Sequence, residues 1–203
     1  MDAQTGKVVW RRHLKKDFQG RSGCWGYAES LLVDGGRVIV TPGGEDNTLV
    51  ALNKDDGQVV WSVSVPPSPN EYPDHKRDPV SGAGVAAYCS VIVTEVAGVR
   101  QYIQFLQRGI VGIRAEDGEF MWREESSASN FANCPTPIIH DNYMFSSSSW
   151  EGPMKWEGAA LTKLVSDGNR TLAQLVYRVG ICRISTGGLF IMTDTSTAAQ
   201  KVR

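Results

Sequence analysis

The sequence predicts an all-β protein, about three blades of a β-propeller built from four-stranded antiparallel sheets. The first observation is a phrase that occurs three times. Asp2-Ala3-Gln4-Thr5-Gly6 leads to Trp10, Leu52-Asn53-Lys54-Asp55-Asp56-Gly57 leads to Trp61, and Ile113-Arg114-Ala115-Glu116-Asp117-Gly118 leads to Trp122. Gly and Trp stand four apart each time, and the Trp residues recur 51 and 61 positions apart. A repeat of about 40–50 residues with one turn and one aromatic per unit is the signature of a propeller blade. The second observation is the vocabulary between the repeats. Twenty-one Gly punctuate runs of five to eight residues rich in Val, Ile, Thr, Tyr, Phe and Trp, as short strands and tight turns require.

The elements follow in order. Residues 1–14 read as the closing hairpin of a blade. The first complete blade spans 27–65. In it Ser30–Val33 is an inner strand, Asp34-Gly35-Gly36 a hairpin turn that tolerates positive φ, and Arg37–Thr41 the return. Pro42–Asn47 is a longer turn before Thr48–Leu52, and Asp55-Asp56-Gly57 turns into Gln58–Val65. The second blade, 85–125, repeats this with Tyr88–Thr94, the Ala97-Gly98 turn, Arg100–Leu106, Gly109–Arg114 and Glu119–Arg123. The third, 133–178, runs through Thr136–His140, the Asp141-Asn142 turn, Tyr143–Ser147, Ala159–Val165 and Leu172–Tyr177. Several strands are continuous apolar runs, as expected where both faces of a sheet are covered. A Trp after each turn suits a wedge between neighbouring sheets, with the Gly turn pinned beside it.

Composition narrows the function. The 203 residues carry a formal net charge of −1 and 21% charged residues, so no global field recruits nucleic acid. No apolar run approaches the ~20 residues of a membrane helix, and membrane insertion by this segment is not expected. Met1 is followed by Asp2 and a turn, where a signal peptide would show a basic stretch and an apolar run. Cys24, Cys89, Cys134 and Cys182 are far apart with no zinc spacing, and are expected to be small buried hydrophobes. P-loop, nucleophile-elbow and zincin motifs are missing, so no catalytic residue and no metal site are assigned. Gly82-Ala83-Gly84 mimics a dinucleotide fingerprint but lies between two β meanders.

Trp25, Tyr27 and Glu29 precede an inner strand and are expected to line one mouth of the central channel. Asn133 and Thr136 hold the equivalent place in a later blade. Propellers place recognition on such loops, and other proteins or a small ligand are the partners this mouth suits. The bland alternative is that Tyr27 and Glu29 hydrogen-bond between blades. Two further loops offer contact surface: Pro66–Pro79 with Tyr72, and the turn from Trp150 to Trp156.

The phrase Asp2-Ala3-Gln4-Thr5-Gly6-Lys7-Val8-Val9-Trp10 resembles the tryptophan-docking repeat of PQQ-like (pyrroloquinoline-quinone-type) propellers. The runs Trp25–Ser30, Val38–Gly44 and Val99–Phe105 are similar to exported bacterial members of that family. The resemblance covers residues 1 to about 178. It implies a structural docking role for Gly6, Trp10, Gly57, Trp61, Gly118 and Trp122. The family also holds quinoprotein alcohol dehydrogenases and the scaffold lipoprotein of the outer-membrane assembly machine. Its dehydrogenases grip their cofactor with an adjacent Cys pair and calcium-binding Glu, Asn and Asp residues. No vicinal cysteines occur here. The expectation is therefore a non-catalytic scaffold with no evident cofactor, periplasmic or extracellular in its intact parent. The alternative is a piece of a PQQ-dependent alcohol or sugar dehydrogenase, which would bring PQQ and calcium.

Two ends depart from the blade grammar. Propellers have about 4–8 blades, so the chain reads as a fragment, with its terminal sheets left uncovered. Residues 179–203 break the pattern where another inner hairpin is due. A frame change near residues 179–183 is expected there, because shifted codons can restore an apolar pair, a His, a turn and an aromatic return in the layout of Thr136–Ser147.

Overall fold

In the computed structural model, residues 1–2, 4–68, 86–129, 132–150, 156–168 and 170–179 are described. They form twelve strands in three four-stranded antiparallel sheets. The first sheet is β1 (Leu32–Asp34), β2 (Arg37–Val40), β3 (Leu49–Asn53) and β4 (Val59–Val63). The second is β5 (Ile92–Val96), β6 (Val99–Leu106), β7 (Gly109–Arg114) and β8 (Phe120–Glu124). The third is β9 (Ile138–His140), β10 (Tyr143–Trp150), β11 (Trp156–Asp167) and β12 (Arg170–Val179). Each is a plain meander in chain order. Among the described residues no helix is long and apolar enough to cross a membrane. Tyr72, most of the Pro66–Pro79 loop, the Gly82–Gly84 run, Cys182 and the tail from 180 lie outside the described residues.

Side-chain alternation assigns the faces. Ile39, Leu49, Ala51, Trp61 and Val63 of the first sheet join Tyr102, Leu106, Val111 and Ile113 of the second in one buried cluster. The opposite parity of the second sheet, Ile103, Phe105, Ile110 and Trp122, packs on Met144 and Leu164 of the third. Strand β6 is therefore buried on both faces from Gln101 onward. Strand β7, buried from Gly109 to Ile113, reads as a near-continuous apolar run for that reason.

The ends differ from expectation in instructive ways. Of the residues expected to close a blade hairpin, 1–14, positions 4–13 form no strand; Val8 and Val9 are exposed and pair with no strand among the described residues. A single helical turn, α1 (Leu14–Asp17), follows, its start held by Nδ1 of His13 accepting from Lys16 N–H. Trp10, Leu14 and Phe18 cover Val38, Val40, Val50 and Leu52, so the first sheet has no open face there. The third sheet does. Leu172, Leu175, Val176 and Tyr177 of β12 are exposed, and a bulge at Val176 interrupts the ladder between Leu161–Tyr177 and Thr162–Leu175. Strand β1 starts two residues later than expected because Ser30 N–H donates to Ser90 Oγ at 2.8 Å instead of joining β2.

The repeated phrase folds into one repeated turn. Asp2, Asn53 and Arg114 each donate N–H five residues on, to Lys7, Gln58 and Glu119, at 2.7–2.8 Å. Their carbonyls accept from Gly6, Gly57 and Gly118 at 2.9–3.0 Å. That closure requires positive φ at the glycine, and the values are +68°, +70° and +82°. In the first two sheets the register then slips by one residue, beside Ala51 and Gly112, which face Trp61 and Trp122 across the strand pair. A small residue opposite each indole leaves room for it.

The candidate functional site

Two ends of the sheets carry different chemistry. At the end bearing the repeated turns, the indoles reach forward by one sheet. Trp10 Nε1–H donates to Lys54 O at 2.8 Å and its ring lies over Gly57, where a Cβ would sit 2.6 Å from Cδ2. Trp61 repeats this on Ala115 O, at 3.3 Å, and on Gly118, where a Cβ would sit 2.7 Å from Cε3. Trp122 does not. Its N–H donates to Gln101 Oε1 of its own sheet at 2.8 Å, and Gln101 Nε2 passes the contact to Thr171 Oγ1. The β11–β12 hairpin lacks the five-residue turn, and a Cβ on Gly168 would touch nothing within 4 Å.

Between these turns lies a cleft of about 660 Å³ lined by Asp34, Arg37, Arg100, Tyr102 and Arg114. Sequence reasoning gave it no role. Arg100 forks onto Asp34 at 2.7 and 3.1 Å, and Tyr102 O–H donates to Asp34 Oδ2 at 2.8 Å. Arg37 Nη1 donates to Ala115 O, while Arg114 pairs with Asp117 and Glu119. The cations are internally matched, so the cleft is a seam between the first two sheets. The Arg100 guanidinium holds the Asp34 carboxyl below its ordinary range, and burial pushes the Tyr102 phenol up to about 12. A depressed carboxyl contributes stability above its unfolded value, about pH 4, and loses it as pH falls through the native value. Arg100 is half exposed, so Asp34→Asn should cost only about 0.2–1 kcal/mol at neutral pH. Urea midpoints should converge for the two proteins in strong acid.

The opposite end is built from the lead-ins to β1, β5 and β9, which lie side by side. Trp25 is 58% exposed and meets the Tyr88 ring edge-on, with centroids 5.4 Å apart and planes at 60°. Trp25 N–H donates to Tyr88 Oη at 3.4 Å, and Cys24 Sγ is 3.9 Å from the same oxygen. Cys89 Sγ lies 3.2 Å from Ser90 O and 3.8 Å from Thr136 Oγ1, two acceptors for its one hydrogen. Of the cysteines expected to be buried, Cys89 is, while Cys24 and Cys134 are exposed free thiols. Burial pushes the Cys89 thiol up to about 11.

Tyr27 O–H donates to Pro42 O at 2.8 Å, tying the lead-in to the β2–β3 turn; burial, then the nearby Glu29 carboxylate, pushes its phenol up to about 12. Glu29 Oε1 accepts from Thr41 N–H at 2.7 Å. Burial raises its carboxyl above the ordinary range, against the Thr41 hydrogen bonds. Asn133 is fully buried with every polar atom engaged. It accepts from Ser129 N–H and Oγ–H at 2.9 and 3.0 Å and donates to Leu106 O and Gln107 O at 2.8 and 3.2 Å. The lead-ins thus bring Trp25, Tyr27, Glu29 and Thr136 along one end, while Asn133 turns inward. Thr41 and Gln104 were not singled out from sequence, where Thr41 merely follows β2 and Gln104 is one of several polar residues of β6. Gln104 Nε2 donates to Thr41 Oγ1 and Cys89 O at 3.0 and 3.1 Å.

Comparison with known proteins agrees with this architecture. The family described as "Outer membrane protein assembly factor BamB" matches residues 1–197. The quinoprotein alcohol dehydrogenase PedH of Pseudomonas putida is 33% identical over 126 residues, covering 60% of this chain and 18% of the dehydrogenase. The chain therefore spans less than a fifth of that relative's length. With three consecutive four-stranded meanders and one turn repeated at Gly6, Gly57 and Gly118, the chain belongs to the PQQ-like repeat family described as outer membrane protein assembly factor BamB.

Proposed function

We propose that the chain is a non-catalytic PQQ-like propeller segment that serves as an interaction or ligand-binding scaffold, in a parent exported to the periplasm or beyond. The observation that carries the reading is Trp25. It is a large aromatic left 58% exposed, braced by Tyr88, on the end where the lead-ins of all three sheets meet. An exposed indole offers contact area at little entropic cost, which is why Trp is enriched at binding surfaces. Behind it the second sheet is packed between the first and the third.

The kinship to a quinoprotein dehydrogenase supports a second reading, a piece of a quinone-dependent alcohol or sugar dehydrogenase. The residues described do not fit a calcium-and-quinone centre. No three His, Cys, Asp or Glu side chains converge among them, and no two of the four cysteines are adjacent. One experiment separates the readings. A photocrosslinking amino acid at position 25 of the full-length parent should give discrete adducts, and one at the exposed turn residue Asp56 should not. Purified parent given pyrroloquinoline quinone and calcium should leave an artificial electron acceptor unreduced in the presence of primary alcohols. Dye reduction without adducts at position 25 would establish the dehydrogenase reading instead.

A further inference from the structure

The third sheet ends on an edge unlike those of the other two. The outer strands of the first and second sheets, β4 and β8, are five residues long, whereas β12 runs for ten. Among the described residues β12 pairs with β11 and with no other strand. Its far side therefore presents a row of unpaired N–H and C=O groups, both turned outward at alternate residues. Strand β12 is the one farthest from β9 in the sheet, so packing against a face of the sheet leaves this edge open.

The edge lacks the devices that close most such strands. Natural edges are kept short, charged or broken by proline, because a long apolar edge recruits another strand. From Thr171 to Tyr177, β12 has neither a charge nor a proline, and Leu172, Leu175, Val176 and Tyr177 are 41–52% exposed. The bulge at Val176 limits regular pairing to Arg170–Leu175. Cations mark the ends of the stretch. Arg170 and Arg178 bracket it, both exposed, and exposed Lys163 of β11 stands opposite Gln174. Asp167 is the register partner of Arg170, yet Arg170 makes no ion pair among the described residues. Two copies of β12 laid antiparallel would bring the arginines of one against those of the other, and like charges across a strand pair are unfavourable. The charge pattern therefore favours an acidic partner over a second copy of this chain.

We propose that the outer edge of β12 docks an extended peptide segment of a partner protein, apolar in its middle and acidic at its ends, which joins the third sheet as a fifth strand. Main-chain hydrogen bonds supply the affinity in this mode of recognition, and alternate side chains supply the choice of sequence. The backbone of Thr171–Leu175 carries the ladder, and Arg170 receives an acidic end of the peptide. So short a ladder buries less surface than a standard interface, and the contact is a transient one. It lies on β12 and does not rest on what the Trp25 end binds.

Fluorescence anisotropy of a labelled peptide tests this. One probe alternates Val and Thr between two terminal Asp residues, and its counterpart has Lys at both ends. The Asp-flanked probe should bind the full-length parent saturably and about tenfold more tightly than the Lys-flanked one. Each exposed ion pair is modest, but a change of sign counts it twice at each end. N-methylation of every Val and Thr removes the donors of the ladder and should abolish binding. Arg170→Glu, on an exposed side chain without an ion pair, should narrow or reverse the preference between the probes. Hydrogen exchange should slow at the amides of β12 when the Asp-flanked probe is bound, and stay unchanged at those of β4. Equal binding of the two probes, undiminished binding of the N-methylated one, or no binding of either overturns the proposal. Self-association of the parent in sedimentation that Arg170→Glu strengthens would give the edge to a second copy and overturn it as well.

Discussion

Trp61→Ala should cost about 3–5 kcal/mol, the range for removing a large aromatic from a core. It should do so from the joint between two sheets. The indole belongs to the cluster that the first and second sheets share, its N–H ends on Ala115 O, and its ring lies on Gly118. Removing it empties the seam and leaves the Ala115 carbonyl to Arg37 Nη1 alone. The partner substitution acts from the other side. Gly118→Ala forces an L side chain to φ +82° and drives its Cβ to 2.7 Å from Cε3 of Trp61. Gly35→Ala is the control, because Gly35 also has a positive φ, +58°, but nothing within 4 Å of an added Cβ. The backbone penalty alone is about 1–2 kcal/mol, so Gly118→Ala should exceed Gly35→Ala by a clear margin in urea denaturation. In the Trp61→Ala background that excess should vanish, since no ring is left to strike. Additive effects of Trp61→Ala and Gly118→Ala would mean that the two residues do not share an interface.

The blade grammar was legible because its signals are local. Gly57 and Gly118 sit where a turn demands positive φ, and the residues between them alternate or run apolar according to what covers them. The recurrence of Asp-Gly and Trp set the order of strands before any contact was known. What escaped was non-local. Nothing within the opening residues says which sheet they meet, and they turned out to lie on the first sheet through Trp10 and Phe18 instead of pairing as strands. Gln104 and Thr41 look like chance polar residues, and only their meeting across the seam makes them a network. Trp122 repeats the sequence phrase faithfully, yet its N–H stays on Gln101 of its own sheet while its ring packs with Met144 and Leu164 of the third, because its destination depends on the β11–β12 hairpin, about 45 residues downstream. A repeat fixes the shape of its own unit, whereas the fit between units belongs to both neighbours.

Asn133 tests where sequence reasoning about the site was weakest. Its place in the chain, three residues before Thr136, suggested a mouth residue facing a ligand. Its geometry is that of a buried clamp, with both amide hydrogens on the carbonyls of Leu106 and Gln107 and its oxygen on the Ser129 N–H and hydroxyl. Asn133→Ala would take a partner from two carbonyls at the β6–β7 turn and from the Ser129 N–H after β8, at about 1–3 kcal/mol for each group that water cannot reach. Partial relaxation brings the expected total to about 2–4 kcal/mol, read as a lower urea midpoint. Asn133→Asp should be no better, since a carboxylate keeps the acceptor but has no hydrogens for the two carbonyls. Thr136→Val removes only the oxygen opposite the weakly donating Cys89 thiol on an exposed residue, and should shift stability by no more than about 0.5 kcal/mol. A ligand-facing pair would give the reverse pattern, with both substitutions silent in denaturation and both felt in crosslinking from position 25. A stability loss confined to Asn133 places it in the framework that carries Trp25.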